Sequence, residues 1–239
     1  MLIWTSAQVS DVGTRRKINE DSVLELPSQG LWAVADGMGG HAAGDYASQL
    51  LVKYLSELDT RNRPVADVVD DLEALVTKAN TQMHQYARQR KVETVGSTLV
   101  VLLLTNQIGV CLWAGDSRLY QVRDNQIRCI SSDHSLVQRL IDQGQITKEQ
   151  AATHPSKNVI TRAIGADPQV YLDCRVFQPQ AGDGYILCSD GLYNEVHEMD
   201  MLDLVKGLTP KDAAESMLSV ALVDGADDNV SVVVVKIRE

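Results

Sequence analysis

The stretch LWAVADGMGGH, residues 31–41, decides the fold because it places a carboxylate where an apolar strand meets a glycine-rich turn. Residues 31–35 carry no charge and are bulky enough for a buried strand, and a buried strand does not tolerate an unpaired aspartate. We therefore predict that the strand ends at Asp36 and that the glycines after it let the backbone fold tightly around a bound group. An ordinary Asp-Gly turn between two strands would give the same local pattern.

Two later segments repeat this arrangement of an acid at the end of a strand. YILCSDG, residues 185–191, runs from an apolar strand into Asp190, and Asp228 stands just before the strand-like run at 230–237. The carboxyl end of one strand and the amino end of an antiparallel neighbour lie at the same edge, so we expect these two acids to converge with Asp36. Converged carboxylates repel one another unless a cation lies between them, and oxygen ligands suit Mg²⁺ or Mn²⁺.

The composition is that of one globular domain spanning residues 1–239, with 44% hydrophobic residues. The net charge of −10 argues against binding to nucleic acid or to an anionic membrane. The longest apolar run, at 99–104, is too short to cross a bilayer, and the N-terminus lacks a signal-peptide pattern. We therefore expect a cytoplasmic monomer. Its scattered cysteines are expected to be reduced and buried: Cys111, Cys129, Cys174 and Cys188.

The polar cluster DVGTRRKINEDS, residues 11–22, mixes a basic triplet with two adjacent acids, Glu20 and Asp21. Such a cluster could bind a metal and hold an anion beside it, although a solvated loop has the same composition. Apolar spacing predicts helices over residues 42–58 and from Pro64 onward. Strand-like runs follow, with GDSR (115–118) as one turn of a single meander: 97–104, 107–114, 117–123 and 126–130.

Residues 131–165 interrupt the β pattern with two short helices, the second capped by Thr147, and resemble an insertion over a site. A strand near 170–178, a plain turn residue at Asp183 and a helix starting at Thr209 follow. Two antiparallel sheets packed face to face, with helices outside, would bury this pattern. We predict an α+β fold, a four-layer αββα sandwich.

Eight motifs in order resemble the PPM/PP2C family of metal-dependent protein Ser/Thr phosphatases, in its bacterial form. They cover nearly the whole chain: GTRRKINED (13–21), VADGMGGHAAG (34–44), GST (96–98), GDSR (115–118), SDHS (132–135), TRAIG (161–165), LCSDGL (187–192) and DDNVSVVVV (227–235). The resemblance implies the αββα sandwich, a centre of two Mn²⁺ or Mg²⁺ ions, and hydrolysis of phosphoserine and phosphothreonine in proteins. It also implies a bacterial Ser/Thr kinase as the opposing partner, and a mobile flap at 131–165.

The same resemblance implies the role of each site residue. Asp36 corresponds to the carboxylate that bridges both ions, and the Gly37 carbonyl and Glu20 to ligands of one of them. Asp21 corresponds to a ligand of that ion or an acceptor that orders its waters. Asp190 and Asp228 correspond to ligands of the other ion, with Asn229 as a neighbour. Asp116 corresponds to the acid that supports a weaker third ion in bacterial members together with Asp190, and Arg16 to the arginine that grips the substrate phosphate.

The proton donor to the leaving group stays open at this stage. Many eukaryotic members place a histidine directly after the Asp-Gly pair, where this chain has Met38, with His41 three residues later. His41, water on a metal or no group at all could protonate the leaving alkoxide. Two other functions also stay open. One is a non-catalytic phosphoprotein-binding relative, which the retained acids disfavour, and the other is a hydrolase of small phosphoesters.

Overall fold

Two antiparallel sheets pack face to face in the computed structural model, which describes residues 2–39 and 43–238. The strands are β1 (Trp4–Asp11), β2 (Asp21–Leu26), β3 (Leu31–Met38), β4 (Gly96–Ser97), β5 (Leu99–Leu104), β6 (Gly109–Ala114), β7 (Arg118–Arg123), β8 (Gln126–Cys129), β9 (Asp173–Phe177), β10 (Gly184–Cys188) and β11 (Val230–Ile237). The helices are α1 (Ala43–Ser56), α2 (Val65–Arg90), α3 (Leu136–Asp142), α4 (Lys148–Ala152), α5 (Asp190–Tyr193), α6 (Glu198–Gly207) and α7 (Pro210–Asp224).

The first sheet has the strand order β1-β11-β10-β7-β8, and the second has the order β2-β3-β5-β6-β9, with β4 paired to β3. Helices α1 and α2 cover the outer face of the second sheet, and α6 and α7 cover that of the first. A third apolar cluster lies between the two sheets. The predicted αββα sandwich is confirmed.

Strand β3 explains why its sequence is apolar without alternation. Leu31 and Ala33 face the helices α1 and α2, whereas Trp32 and Val34 face the other sheet. All four side chains are fully buried. A strand covered on both faces gains from apolar residues at every position, so its sequence is continuous rather than alternating.

The predicted single meander is wrong. Strands β5 and β6 form a hairpin in the second sheet, whereas β7 and β8 form a hairpin in the first. The segment 115–117 carries the chain from one sheet to the other. Local patterns indicate that two runs are strands, but they do not indicate that consecutive strands belong to different sheets.

Two further expectations need correction. Asp183 is no plain turn residue, because it is 1% exposed and accepts hydrogen bonds at 2.6 Å from Arg123 and from the Tyr185 hydroxyl. All four cysteines are free, but Cys174 is exposed on β9 and Cys129 is half-buried. The edge position of β9 in its sheet accounts for the exposure of Cys174.

The segment 131–165 contains the two short helices expected from its sequence, α3 and α4. The side chain of Thr147 caps α4 together with Gln150, as the sequence predicts. Within these two helices only Ala151 is buried, so they add little to the core. None of the helices in the described ranges combines the length and the apolar character needed to span a bilayer.

Candidate metal centre

Acidic side chains from both sheets converge at one edge of the sandwich. Asp36 lies on β3 of the second sheet, Asp190 follows β10 of the first, and Asp228 precedes β11 beside it. Asp21 stands directly opposite Asp36 in the register of β2 and β3. The acids therefore meet across two sheets, whereas the sequence argument placed them at the edge of one.

Burial and mutual repulsion make ionisation of these acids unfavourable. Burial raises the pKa of Asp36 well above its ordinary value, and the charges of Asp21 and Asp190 raise it further. Burial raises the pKa of Asp21 to about 7 and that of Asp190 to about 6. Burial also raises the pKa of Asp116 to about 7, with Asp190 adding to the effect. A positive charge among these carboxylates would relieve their repulsion.

Glu20 reaches this cluster through a contact that only glycine permits. The Gly37 N–H donates to the Glu20 carbonyl oxygen at 3.1 Å. A Cβ atom added to Gly44 would lie 2.5 Å from Glu20 Oε1, and one added to Gly37 would lie 2.2 Å from the Gly44 carbonyl oxygen. The two glycines therefore let the first turn of α1 pack directly against the glutamate.

Two carboxylate oxygens of the cluster, Glu20 Oε1 and Asp116 Oδ1, are buried and accept no hydrogen bond from any residue that the structure describes. Such oxygens are costly in a folded protein, and they are good ligands for a hard divalent cation. No group of three Asp, Glu, His or Cys side chains in the described ranges is arranged to hold an ion by itself. Mg²⁺ usually keeps several waters and takes only one or two carboxylates, so the residues present fit such an ion.

A hydrogen-bonded layer behind the acids holds them in place. Ser189 donates to Asp21 Oδ2 at 2.7 Å, and its hydroxyl also accepts from the Ser231 N–H at 3.0 Å. Asn229 accepts from the Glu20 N–H at 2.8 Å and donates to the Val12 carbonyl oxygen at 2.9 Å. Asn229 therefore connects the polar segment 11–22, which carries the basic triplet, to the start of β11 in the first sheet. The position of Ser189 just before Asp190 was the only sequence signal for its role.

The GST and GDSR motifs support Asp36 from the other side. The Asp36 N–H donates to Thr98 Oγ1 at 3.1 Å, and the Thr98 N–H donates to the Asp36 carbonyl oxygen at 2.8 Å. The Thr98 and Ser117 hydroxyls are 2.7 Å apart. Gly115 has a φ of +108° and approaches Thr98 closely, since a Cβ there would lie 2.6 Å from the Thr98 side chain. The loop that carries Asp116 is thus linked to Asp36.

Arg16 is the basic residue that reaches the acids. Its Nη2 lies 2.6 Å from Asp228 Oδ2, and this hydrogen bond raises the pKa of the guanidinium. Arg15 instead pairs with Asp227, and its side chain is 75% exposed. His41 lies outside the described residues, as does Gly40.

The comparisons with known proteins agree with this arrangement. The family model for protein phosphatase 2C matches residues 14–224. The chain belongs to the protein phosphatase 2C family. It is 39% identical over 236 residues to the serine/threonine protein phosphatase PstP of Mycobacterium tuberculosis, which covers 98% of this chain but only 45% of that protein. This chain therefore spans less than half the length of that relative.

A second relative has about the same length as this chain. The serine/threonine phosphatase Stp of Listeria welshimeri is 37% identical over 235 residues, which cover 95% of this chain and 93% of that protein. Among solved structures, the catalytic domain of PstP in complex with two manganese ions matches with a TM-score of 0.90 and 35% identity over the whole of both chains. The likeness extends from the sequence to the complete fold.

Proposed function

We propose that this chain hydrolyses phosphoserine and phosphothreonine in proteins, with a water activated by two divalent cations. The observation that carries the proposal is the convergence of acids from two sheets at one edge, with Arg16 beside them. Two of their buried oxygens have no hydrogen-bond partner among the described residues. The named activity of the relatives and the two manganese ions of the PstP structure support it.

We assign each site residue to one of the two proposed ions. Asp36 would serve both ions, with the Gly37 carbonyl and Glu20 holding one and Asp190 and Asp228 the other, directly or through the waters that such an ion keeps. Asp21 accepts a hydrogen bond from Ser189 and would order water beside the ions. Asp116 would join Asp190 in holding a weaker third ion. When bound, the ions would lower the pKa of a water and aim it in line at phosphorus.

Arg16 would bind the phosphate through its planar fork of N–H donors. In the protein alone its guanidinium pairs with Asp228. A cation bound by Asp228 would neutralise that carboxylate and weaken the pair. Arg16 would then be free to turn toward an incoming phosphate dianion, so cation binding would prepare the phosphate site.

The cysteines support water rather than a thiolate as the nucleophile. Burial raises the pKa of Cys111 and Cys188 well above the ordinary value for a thiol, and it raises that of Cys129 to about 11. Burial also raises the pKa of Cys174, the exposed one. These thiols would stay protonated at neutral pH, when they are poor nucleophiles.

The remaining assignments are proposals of the same kind. The partners would be phosphorylated proteins and an opposing bacterial Ser/Thr kinase, and the chain would act as a cytoplasmic monomer. Either Mn²⁺ or Mg²⁺ would serve. His41 is one candidate for the proton donor to the leaving alkoxide, and the segment 131–165 would act as a flap that shapes access for protein substrates.

The test is hydrolysis of a phosphothreonine peptide with and without Mn²⁺. EDTA should abolish activity and Mn²⁺ should restore it. Asp36→Asn, Asp190→Asn and Asp228→Asn should each lower kcat/KM by about 100-fold or more, because metal-ion charge stabilisation is worth several kcal/mol. Asp227→Asn is the matched control, since Asp227 is exposed and pairs with Arg15.

The alternatives give different results in the same assay. A non-catalytic binding protein would bind the peptide without releasing phosphate. A hydrolase of small phosphoesters would turn over nucleotides faster than the peptide. A wild-type rate in metal-free buffer would contradict the two-ion mechanism.

A further inference from the structure

We propose that Arg118 is a positioning residue that sets the placement of Asp116 and Asp190 relative to each other and to the start of the 131–165 segment. The inference rests on the proposed function of the metal centre and adds a residue outside the acids and Arg16. It follows from the contacts of one guanidinium group with three separate parts of the chain.

The guanidinium of Arg118 is held on every side. Its Nε and Nη2 donate to the two carboxylate oxygens of Asp133 at 2.9 and 2.7 Å, and its Nη1 donates to the Tyr120 hydroxyl at 2.9 Å. Its Cζ lies 3.6 Å from the centre of the Tyr193 ring. The Arg118 side chain is 27% exposed and that of Asp133 is 10% exposed. A forked ion pair combined with ring stacking fixes both the distance and the plane of the group.

Each contact of Arg118 belongs to a segment that carries or adjoins a site acid. Arg118 itself begins β7, two residues after Asp116. Tyr193 ends the four-residue helix α5, which begins with Asp190. Residues three apart lie on the same face of a helix, so stacking on the Tyr193 ring also orients Asp190. Leu192 is fully buried and anchors the helix in the core.

The third segment is the beginning of the 131–165 insertion, which is hydrogen-bonded to the loop that carries Asp116. The His134 N–H donates to the Gly115 carbonyl oxygen at 2.9 Å, and the Gly115 N–H donates to His134 Nδ1 at 3.1 Å. The His134 ring also stacks on Trp113. Asp133 and His134 therefore hold the loop on both sides of Asp116. No residue in the described ranges donates a hydrogen bond to Asp116 Oδ1, so the placement of this acid follows that of the backbone around it.

The same strand offers a matched control for a merely stabilising ion pair. Arg123, at the other end of β7, forms a forked pair with Asp183 through Nε and Nη2, both at 2.6 Å. Its side chain is 25% exposed, nearly the same as that of Arg118. It lies five residues, or roughly 17 Å, further along the strand. The two ion pairs are similar, but Arg118 lies beside the segments that carry Asp116 and Asp190, whereas Arg123 lies at the opposite end of the strand.

The experiment compares Arg118→Ala, Arg118→Lys, Arg123→Ala and Tyr193→Phe. Three quantities are measured for each variant. Calorimetry gives the Mn²⁺ affinity, urea denaturation gives the free energy of unfolding, and steady-state kinetics on a phosphothreonine peptide give kcat and KM. Arg118→Ala should weaken Mn²⁺ binding by about 10- to 100-fold, as is typical when a residue that orients metal ligands is lost, and should lower kcat. Arg123→Ala should lose stability and keep Mn²⁺ affinity within about twofold of the wild type, since no residue that holds the ion moves.

Lysine keeps the charge at position 118 but lacks the planar fork, so Arg118→Lys should recover only part of the affinity. Tyr193→Phe keeps the stacked ring and should bind Mn²⁺ like the wild type. The proposal is wrong if Arg118→Ala binds Mn²⁺ as tightly as Arg123→Ala does.

A failure of Arg118→Ala to fold would leave the test to Arg118→Lys and Tyr193→Ala. Unchanged Mn²⁺ affinity in both of those variants would equally overturn the proposal. If the wild-type protein binds Mn²⁺ but hydrolyses no phosphopeptide, the proposed function fails, and the comparison of Mn²⁺ affinities still tests the role of Arg118.

Discussion

The three adjacent cations Arg15, Arg16 and Lys17 are chemically similar, and their motif position alone favours Arg16. In the structure Arg16 turns inward to Asp228, whereas Arg15 turns outward to Asp227. Both pairs have the same N···O distance of 2.6 Å, so the bond itself does not distinguish them. The residue they pair with does, because only Asp228 belongs to the acid cluster.

Arg16→Ala should raise KM for a phosphothreonine peptide and lower kcat, because the guanidinium would contact the phosphate before and during the reaction. Hydrogen bonds to a charged group are worth about 1.5–3 kcal/mol, which corresponds to a loss of roughly 10- to 150-fold in kcat/KM. Steady-state kinetics check this, with Arg15→Ala as the control. A larger loss in Arg15→Ala than in Arg16→Ala would show that the phosphate is gripped by the neighbouring arginine.

Among the secondary-structure elements, the neighbouring strands β7 and β10 of the first sheet show how a buried carboxylate can join two strands. Asp183 precedes β10 and is paired with Arg123 at the end of β7. It also accepts hydrogen bonds from Gln121 of β7 and from Tyr185 of β10. The Gly-Asp-Gly sequence around it is that of an ordinary turn, so nothing local distinguishes it from an exposed aspartate. Its role depends on residues about 60 positions earlier in the chain.

Asp183→Asn should lower the free energy of unfolding at pH 7 by about 1.5–3 kcal/mol, because the half-buried Arg123 loses the charged partner of its hydrogen bonds. Although burial raises the pKa of Asp183, hydrogen bonds from Arg123 and Tyr185 bring it below its ordinary value. The folded state therefore favours the carboxylate, and the wild-type advantage is complete above about pH 4.

The difference between wild type and Asp183→Asn should shrink as the pH falls through the folded-state pKa of Asp183. Urea unfolding at pH 7 and at about pH 3 measures both values, and Asp227→Asn serves as an exposed control. An equal difference at the two pH values would mean that the charge of Asp183 is not what stabilises the fold.

At the scale of the whole molecule, the candidate metal centre lies where the two sheets meet. Asp36 lies on a strand of the second sheet, whereas Asp190 follows β10 and Asp228 precedes β11, two strands of the first. Ser189 of the first sheet donates to Asp21 of the second, so hydrogen bonds already cross between them at this edge. A cation held by both sides would add a further link between the sheets.

Mn²⁺ should therefore raise the melting temperature, because it binds the folded chain and not the separated acids of the unfolded one. At a hundredfold excess over its dissociation constant the gain is about 2.7 kcal/mol. Asp36→Asn and Asp228→Asn should each reduce the shift although Asp36 lies on the second sheet and Asp228 lies beside a strand of the first, and Asp227→Asn should keep it. Calorimetric scans with and without Mn²⁺ measure this shift in melting temperature. A full shift in both site variants would place the ion elsewhere.

The sequence by itself determined most of the elements and singled out the acids of the candidate site. The αββα layers followed from runs that are apolar at every position, because a strand covered on both faces needs no polar alternation. Asp36, Asp190 and Asp228 were recognisable as candidates because each stands beside a glycine or an asparagine near the end of a strand, and their order matched the motifs of one family.

The tertiary structure alone decided which distant residues meet. The inward turn of Arg16 and the burial of Asp183 join residues far apart in the sequence, as do the contacts of Arg118 with Asp133 and Tyr193. The passage of the chain between sheets at 115–117 is likewise set by how the two sheets pack. A short-range sequence pattern indicates whether a segment is a helix or a strand and which of its faces is buried. The pairing of charges depends on how those elements pack, and this chain packs its two sheets so that their acids share one edge.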